Sequence, residues 1–195
     1  MNKIYAICDY NNLVKFDISI YEFVELCKKL DVEIIQYRDK SSSFEKVLKN
    51  IILLRNLWQK TLIINDKLEF VNFCDGLHLG QEDLKKFAIN KKVAIKRVRR
   101  IIGNSILGIS THNLKEIKEA NHLNIDYIGL GAYKKSSTKD VKFVLGKRVS
   151  NLAKYSKYKV AVIGGIKIND NIKNVDYLAI SSDIIKQKEQ IKRKK

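Results

Sequence analysis

Eight short apolar runs, each followed by a helical pattern or a turn, constrain the fold of this chain more than any other feature. Runs of this length that are rich in Leu, Ile and Val are typical of strands buried on both faces. The predicted strands cover residues 3–8, 32–36, 62–64, 76–79, 106–109, 127–130, 159–163 and 177–180. Strands that alternate with helices indicate a parallel sheet. Eight such units predict an α/β protein of the (β/α)8 TIM-barrel type, in one domain over residues 1–195.

The alternative architecture for alternating strands and helices is an open, doubly wound sheet. Its dinucleotide-binding form carries a G-x-G-x-x-G turn after the first strand, and no such turn follows residue 8. A chain of 195 residues is at the short end for a closed barrel, so the loops of the predicted barrel have to be short.

The segments between the runs carry helix signals. Ser19 with Glu22, and Ser42 with Glu45, form S-x-x-E patterns that predict capping boxes at two helix starts. A longer helical pattern breaks near Asn90. Helices are predicted over 82–102 and 146–155, and from about 169 and 181, the last one fading into a short charged tail from about 187.

The chain is strongly basic, with 38 Lys and Arg against 21 Asp and Glu and a formal net charge of +17. The lysines are spread along the sequence and are dense only at 91–100 and 191–195. That distribution is typical of a solvated surface and argues against a nucleic-acid groove, while anionic substrates would gain from the same field.

The sequence also predicts the cellular compartment of the protein. No apolar run approaches the roughly 20 residues of a membrane span, and the first residues lack the apolar core of a signal peptide. Cys8, Cys27 and Cys74 form no C-x-x-C pair and leave an odd count, which favours a reducing cytoplasm.

Polar residues recur where the predicted strands end, which is where barrels of this type gather their active-site groups. In chain order they are Gln36, Arg38, Lys40, Asn65, Asp66, His78, Gln81, Asp83, Ser110, Thr111, His112, Ser136, Thr138, Lys139, Gly164, Gly165, Ser181 and Ser182. The strand interiors between these positions are apolar, so the pattern predicts a site.

Two anion sites can be separated within this set. Glycines 164 and 165 and serines 181 and 182 follow the seventh and eighth strands, where such barrels bind phosphate through backbone N–H groups and a helix N-terminus. The second site combines cations and hydroxyls with two carboxylates. Its members are Arg38, Lys40, Ser136, Thr138, Lys139, Asp66 and Asp83.

Carboxylates beside an anion are expected where a divalent cation bridges the two, and Mg²⁺ is usually bound by one or two carboxylates plus substrate phosphates. Taken singly, Asp66 would be read as a helix cap and Asp83 as a first-turn acid that the helix dipole favours. Together with the neighbouring cations they predict a magnesium pyrophosphate site. Two phosphorylated substrates follow, one of which leaves as pyrophosphate.

The ordered set of motifs resembles the thiamine phosphate synthase family, within a superfamily that also contains the thiazole tautomerases. The resemblance spans nearly the whole chain and is weakest before residue 30. It is carried by Q-Y-R-D-K at 36–40, N-D at 65–66, D-G-L-H-L-G-Q-E-D at 75–83, G-I-S-T-H at 108–112, G-L-G at 129–131 with the later Ser136, Thr138 and Lys139, and I-G-G-I at 163–166.

The resemblance implies a reaction and a role for each residue. Hydroxymethylpyrimidine pyrophosphate would be condensed with thiazole phosphate, giving thiamine phosphate and pyrophosphate, with Mg²⁺ as cofactor. Lys139, Arg38 and Ser110 would be the catalytic residues. Asp66 and Asp83 would hold Mg²⁺, while Arg38, Asn65, Thr138 and Lys139 would bind pyrophosphate, Gln36 and Ser110 the pyrimidine side, and Gly165, Ser181 and Ser182 the thiazole phosphate.

The chain departs from the family pattern in two places. Before the eighth strand, Asn174 and Val175 replace the usual Ala-Gly dipeptide, and Tyr177 follows Asp176 where the family usually has Gly. The other departure is in the loop after the sixth strand. The run Y-K-K-S-S at 133–137 replaces a proline-containing run, and Ser136 stands where the family usually has Thr. A thiazole tautomerase and a noncatalytic barrel that binds RNA or another polyanion remain as alternatives. His112 is a candidate acid or base for the tautomerase, whereas His78 is predicted to be a hydrogen-bonded structural residue.

Overall fold

The computed structural model describes residues 2–135 and 144–192, with side chains up to residue 188. Within these residues eight parallel strands close into a barrel in chain order, β1 to β8, and β8 pairs back with β1. The strands are β1 (Lys3–Asp9), β2 (Ile34–Arg38), β3 (Thr61–Asn65), β4 (Gly76–Leu79), β5 (Ile106–Thr111), β6 (Tyr127–Gly131), β7 (Lys159–Ile163) and β8 (Tyr177–Ile180). The predicted (β/α)8 TIM barrel is confirmed.

Helices surround the barrel and follow most of the strands. They are α1 (Tyr10–Lys15), α2 (Ile20–Lys29), α3 (Phe44–Leu57), α4 (Gln81–Lys85), α5 (Lys91–Ile102), α6 (Leu114–Ala120), α7 (Arg148–Ala153) and α8 (Ser182–Lys192), with a 3₁₀ helix at Leu68–Phe73. None of the helices in the described ranges has the length and apolar character needed to cross a bilayer.

The apolar residues divide into two layers because successive side chains of a strand point to opposite faces. The larger layer packs between the strands and the helices and includes Phe23, Ile51 and Val98. The smaller one fills the barrel interior and is made by Tyr5, Ile7, Tyr127, Ala161, Tyr177 and Ala179. The interior cluster therefore brings hydroxyl groups into the barrel, directly below its mouth.

Three aspartates fasten the N-terminal end of the barrel. Asp75, Asp126 and Asp176 directly precede β4, β6 and β8, and each carboxylate accepts a backbone N–H of the strand before. Gly76 follows the first of them because a Cβ there would lie 2.3 Å from the carbonyl oxygen of Ile106. These contacts lie opposite the mouth, so they set strand register and leave the other end free for ligands.

Helix capping confirms one sequence prediction and corrects another. Ser19 and Glu22 form the predicted capping box of α2. At α3 the N-cap is Ser43, whose Oγ accepts from Lys46 N, and not Ser42. The reason is Asp39, whose Oδ1 accepts the N–H of Ser42 at 3.0 Å and holds it in the preceding turn.

Several predicted boundaries also shift. β2 begins at Ile34, because the N–H of Val32 bonds to Cys27 O at the end of α2, and it extends to Arg38. β5 extends to Thr111, so Ser110 and Thr111 lie within the strand. The helix predicted from about 169 is wrong, since residues 164–176 form bends and turns, and α1 was not predicted. The backbone of α8 continues to residue 192, into the segment expected as a tail.

Candidate active site

The C-terminal ends of the strands form a mouth with two adjoining pockets. The first, of about 160 Å³, lies at the end of β5 to β8 and is lined by Gly165, Ser181 and Ser182. The second, of about 120 Å³, lies over β2 to β5 and is lined by Lys40 and both acidic candidates. Arg38 and Ser110 line both pockets, so they stand where two ligands would meet.

Asp66 and Asp83 lie on either side of Gly80. A Cβ at Gly80 would be 3.1 Å from Asp83 Oδ2 and 3.8 Å from Asp66 Oδ1. Asp66 Oδ1 accepts the N–H of Gly80 at 3.1 Å, and Lys40 Nζ is 3.7 Å from Asp66 Oδ2. Asp83 pairs with Lys86 at 2.6 Å. The predicted carboxylate pair is therefore formed, with a lysine beside each member.

The electrostatics of the pair suit a cation. Burial raises the pKa of Asp66, and the nearby Asp83 raises it further. For Asp83 the effect of burial is outweighed by the hydrogen bond from Lys86, so its pKa is lowered. Two carboxylates that repel each other at a half-open mouth would be relieved by a divalent ion. In the described residues no group of three or more His, Cys, Asp or Glu has a metal-holding arrangement, so a cation here would need ligands from substrate or water.

Asp9 is a site residue that sequence reasoning missed. Its side chain is buried, pairs with the guanidinium of Arg38, and also caps α1 by accepting Asn12 N at 3.1 Å. Arg38 is thereby held at the boundary of the two pockets with part of its charge satisfied by the protein. The signal was present, because Asp9 ends the first apolar run as Asp66 follows the third.

A chain of hydrogen-bonded side chains runs below the mouth from Asp66 to Ser110. On its first half, Asn65 Nδ2 donates to Asp66 Oδ2, and Gln36 Nε2 donates to Asn65 Oδ1 at 2.7 Å. Tyr5 Oη then donates to Gln36 Oε1 at 2.8 Å. These residues lie on β1, β2 and β3 and at the end of β3.

The second half of the chain crosses the barrel interior. Tyr5 Oη is 2.8 Å from Tyr127 Oη, which is 2.9 Å from His78 Nδ1. His78 Nε2 is 3.0 Å from Ser110 Oγ. His78 is thus the hydrogen-bonded residue that the sequence predicted. We call the full set the Asp66–Ser110 chain; its members are Asp66, Asn65, Gln36, Tyr5, Tyr127, His78 and Ser110.

Backbone shape builds the opposite side of the mouth. Gly164 and Gly165 have φ angles of +98° and +63°, and a Cβ at either would lie 2.7–2.8 Å from a neighbouring side chain. Only glycine fits both conditions. Ser181 Oγ accepts from Asn12 Nδ2 at 3.2 Å, and Ser182 begins α8, so the helix N-terminus faces the first pocket. The arrangement has the features expected of a phosphate site.

His112 lies between β5 and α6 and lines the first pocket, but its ring pairs with a residue of α6. Its Nδ1 is 2.9 Å from Glu116 Oε2, one turn along α6, and the ring is exposed. Gln81, another polar residue that follows a strand, donates to the carbonyl oxygen of Ser110. The remaining candidates, Ser136, Thr138 and Lys139, lie outside the described residues, and their roles stay predictions.

Fold and site together define a barrel enzyme class that handles phosphorylated ligands at the C-terminal mouth. A family model described as thiamine monophosphate synthase matches residues 4–182 of the chain. The chain belongs to this family. The comparisons therefore confirm the family that the motifs predicted, and with it a transferase of thiamine biosynthesis.

Individual relatives agree with this assignment. The chain is 31% identical over 196 residues to a thiamine-phosphate synthase of Clostridioides difficile, covering 94% of this chain and 88% of the relative. It is 34% identical over 145 residues to that of Lawsonia intracellularis, covering 71% of this chain and 62% of the relative. The thiamine phosphate pyrophosphorylase structure from Pyrococcus furiosus matches the fold with a TM-score of 0.74 at 23% identity, over 98% of this chain and 94% of that one.

Proposed function

We propose that the chain condenses hydroxymethylpyrimidine pyrophosphate with thiazole phosphate to give thiamine phosphate and pyrophosphate. The observation that carries the proposal is the pair of adjoining pockets: a carboxylate and lysine pocket beside a glycine and serine pocket, with Arg38 and Ser110 lining both. The carboxylate and lysine pocket suits a pyrophosphate with its metal, and the glycine and serine pocket suits a phosphate monoester.

In the proposed reaction the methylene carbon–oxygen bond of the pyrimidine substrate breaks, and its electron pair leaves with pyrophosphate. The lone pair of the thiazole nitrogen then forms the new carbon–nitrogen bond. Arg38 and Lys40 line the pocket where the leaving group gains negative charge, and they stabilise it there. The protein supplies no nucleophile, so the residues act by binding, orientation and charge.

Asp66 and Asp83 would hold Mg²⁺, as the sequence predicted. When bound, Mg²⁺ would neutralise the charge that develops on the leaving pyrophosphate. The donor set supports this choice, because two carboxylates beside a phosphate-binding pocket are the protein ligands that Mg²⁺ usually has. Asn65 hydrogen-bonds to Asp66 and orients it, which keeps the carboxylate turned toward Gly80.

A thiazole tautomerase remains the second candidate, and the His112–Glu116 pair favours it. The two side chains are 2.9 Å apart at the edge of the first pocket and could move a proton. Such a reaction needs neither pyrophosphate binding nor a metal. The carboxylate pair and Lys40 would then have no function, which is why we propose the synthase.

The deciding experiment measures coupling of the two substrates by purified protein across a Mg²⁺ titration. We expect product only with Mg²⁺, and none in EDTA. Lys139→Ala should lose most of the rate, since the sequence places a cation there for the pyrophosphate, whereas His112→Ala should lose less. Lys154→Ala, at the exposed end of α7, is the matched control.

Tautomerisation that persists in EDTA with no coupling product would overturn the proposal and establish the second candidate. Strong, salt-sensitive binding of random RNA without turnover would instead favour the noncatalytic barrel. We also propose the cytoplasm as the location. Cys8, Cys27 and Cys74 are free thiols, which fits a reducing compartment.

A further inference from the structure

We propose that Tyr5, Tyr127 and His78 are positioning residues: by completing the Asp66–Ser110 chain they fix the direction of every hydrogen bond in it and make Ser110 Oγ a hydrogen-bond acceptor toward the pockets. Only the nature of the ligand that Ser110 meets rests on the proposed function. The direction of the chain follows from the chemistry of its members alone.

The direction is set at the carboxylate. Asp66 Oδ2 faces Asn65 and Lys40, whereas Oδ1 faces Gly80 and Asp83. Asp66 Oδ2 therefore faces two donors: it accepts from Asn65 Nδ2 and lies 3.7 Å from Lys40 Nζ. Asn65 must turn its NH₂ group to this oxygen, which leaves its Oδ1 to accept from Gln36. Gln36 in turn has only its carbonyl oxygen left for Tyr5.

The tyrosines transmit this direction because each phenol has a single hydrogen. The hydrogen of Tyr5 is used on Gln36, so Tyr5 Oη accepts from Tyr127. The hydrogen of Tyr127 is then used as well, and its oxygen accepts from His78. The proton of the neutral imidazole consequently lies on Nδ1.

The same argument gives the direction of the hydrogen bond between Ser110 and His78. His78 is buried and its ring packs on Tyr127 with centroids 5.5 Å apart, so the ring is held between Tyr127 and Ser110. Its Nε2 is then a lone pair that takes the hydrogen of Ser110 Oγ. Because its one hydrogen is used on His78, the Ser110 hydroxyl presents only oxygen lone pairs to the two pockets, so the ligand group beside it must be an N–H or O–H donor.

All six bonds of the chain point from Ser110 toward Asp66. Bonds aligned in this way polarise one another, and a change at one member reaches the others. Removal of the Tyr5 hydroxyl should therefore alter His78, to which Tyr5 is connected through Tyr127. A role limited to local packing makes no such prediction.

The test determines the tautomer of His78 by NMR in the whole protein, labelled with ¹⁵N-histidine and without any ligand. The protein sequence has three histidines, so the variants His112→Asn and His122→Asn assign the signals. At pH about 8.5, some two units above the ordinary histidine pKa of about 6.5, we expect the neutral Nδ1–H form in the unmodified protein. Tyr127→Phe removes the acceptor of that proton and should shift the population to Nε2–H.

Tyr5→Phe should produce the same shift from one residue further away, because it frees the Tyr127 hydroxyl to donate to His78 Nδ1. Tyr177→Phe is the matched control: it makes the same change in the same interior cluster, at a ring 6.4 Å from Tyr5, outside the chain. It should leave the tautomer unchanged. An Nε2–H or doubly protonated His78 in the unmodified protein would overturn the proposal, as would a tautomer indifferent to both chain variants.

The consequence for Ser110 is tested with two small probes, 4-aminopyrimidine, which has an N–H donor, and 4-methoxypyrimidine, which does not. We expect the amino probe to bind on the order of tenfold more tightly. The ratio should fall in Tyr5→Phe and hold in Tyr177→Phe, whereas a loss of packing would weaken both probes alike. Equal ratios in all proteins would refute the role of Ser110. Absence of coupling activity with the tautomer pattern intact would refute only the proposed function.

Discussion

At the ends of β2 to β4 the barrel mouth carries formal charge, whereas at the ends of β7 and β8 it carries glycine backbone and hydroxyls. The charged half contains Lys40, Asp66 and Asp83. The backbone half contains Gly164, Gly165, Ser181 and Ser182. Both halves suit phosphorylated groups, but the physical means differ. The charged half acts by Coulomb attraction, with a metal ion in the proposed function, and the other half acts through the N–H dipoles of a glycine turn.

This difference teaches which substitutions each half tolerates. The charged half keeps its shape when a carboxylate is changed to an amide, but it loses the charge that a cation needs. The backbone half has no charge to lose, but a single added methyl group occupies space that its neighbours already fill. An isosteric change should therefore weaken ligand binding in the charged half, whereas a small steric change should weaken it in the backbone half.

The largest effect is expected from Asp83→Asn in the charged half. The amide preserves the volume but removes one anionic metal ligand, so the Mg²⁺ concentration for half-maximal rate should rise on the order of 100-fold. Glu82→Gln, the adjacent acid of the same short helix, pairs with Lys85 in solvent and is the matched control. Unchanged Mg²⁺ dependence of the Asp83 variant, with folding intact, would refute the metal assignment.

Gly165→Ala should give the next largest effect, and on the other substrate. The new Cβ would lie 2.8 Å from Lys134 Cβ at a positive φ, so the turn must move. We expect the KM for thiazole phosphate to rise about tenfold while the Mg²⁺ dependence stays unchanged. Gly103→Ala is the control, because that glycine also has a positive φ but nothing within 4 Å of the added Cβ. Similar kinetic losses in both variants would remove the distinction between the halves.

A smaller effect, on stability, is expected from Asp39→Asn at the loop that carries Lys40. Asp39 accepts from Ser41 N, Ser42 N and Tyr37 Oη. Burial alone would raise its pKa, but these hydrogen bonds outweigh it and lower the pKa. The amide cannot accept all of them, so the free energy of unfolding should fall by roughly 1–3 kcal/mol at neutral pH.

The lowered pKa also predicts a pH dependence. The stabilisation from Asp39 is fully present above the unfolded value of about 3.9 and is lost as the pH falls through the lower folded value. The gap between the unmodified protein and Asp39→Asn in urea unfolding should therefore close below pH about 4. The exposed Asp17→Asn should change stability by less than about 0.5 kcal/mol. A gap that widens in acid would contradict the assignment of the hydrogen bonds.

The smallest effect is expected from a truncation that touches neither half. Deleting residues 192–195 removes the basic end of the chain beyond most of α8. Coupling rate and both substrate KM values should stay unchanged, because chain ends of this composition are solvated. A large loss of rate would mean that the end of the chain reaches the site or a partner.

Much of the charged half could be predicted from the sequence. Asp66 and Asp83 follow apolar runs in a chain whose strand and helix pattern closes into a barrel, and carboxyl ends of parallel strands meet at one edge. The same rule would have found Asp9, had it been applied to the first run. The position of a cap was harder: Ser42 and Ser43 are both acceptable N-caps, and the choice depends on the Asp39 turn.

The sequence by itself determined the order of strands and helices, because burial of short apolar runs and the 3.6-residue helical period are local properties. It also predicted several of the polar groups at the mouth, among them Arg38, Asp66 and Asp83, but not Asp9. Only the tertiary structure decided that Tyr5 and Tyr127, 122 residues apart, share a hydrogen bond inside the barrel. Their partners depend on the register and inward face of strands that are distant in sequence. A tyrosine in an apolar run looks like any other core residue until closure of the barrel brings a second hydroxyl within 2.8 Å.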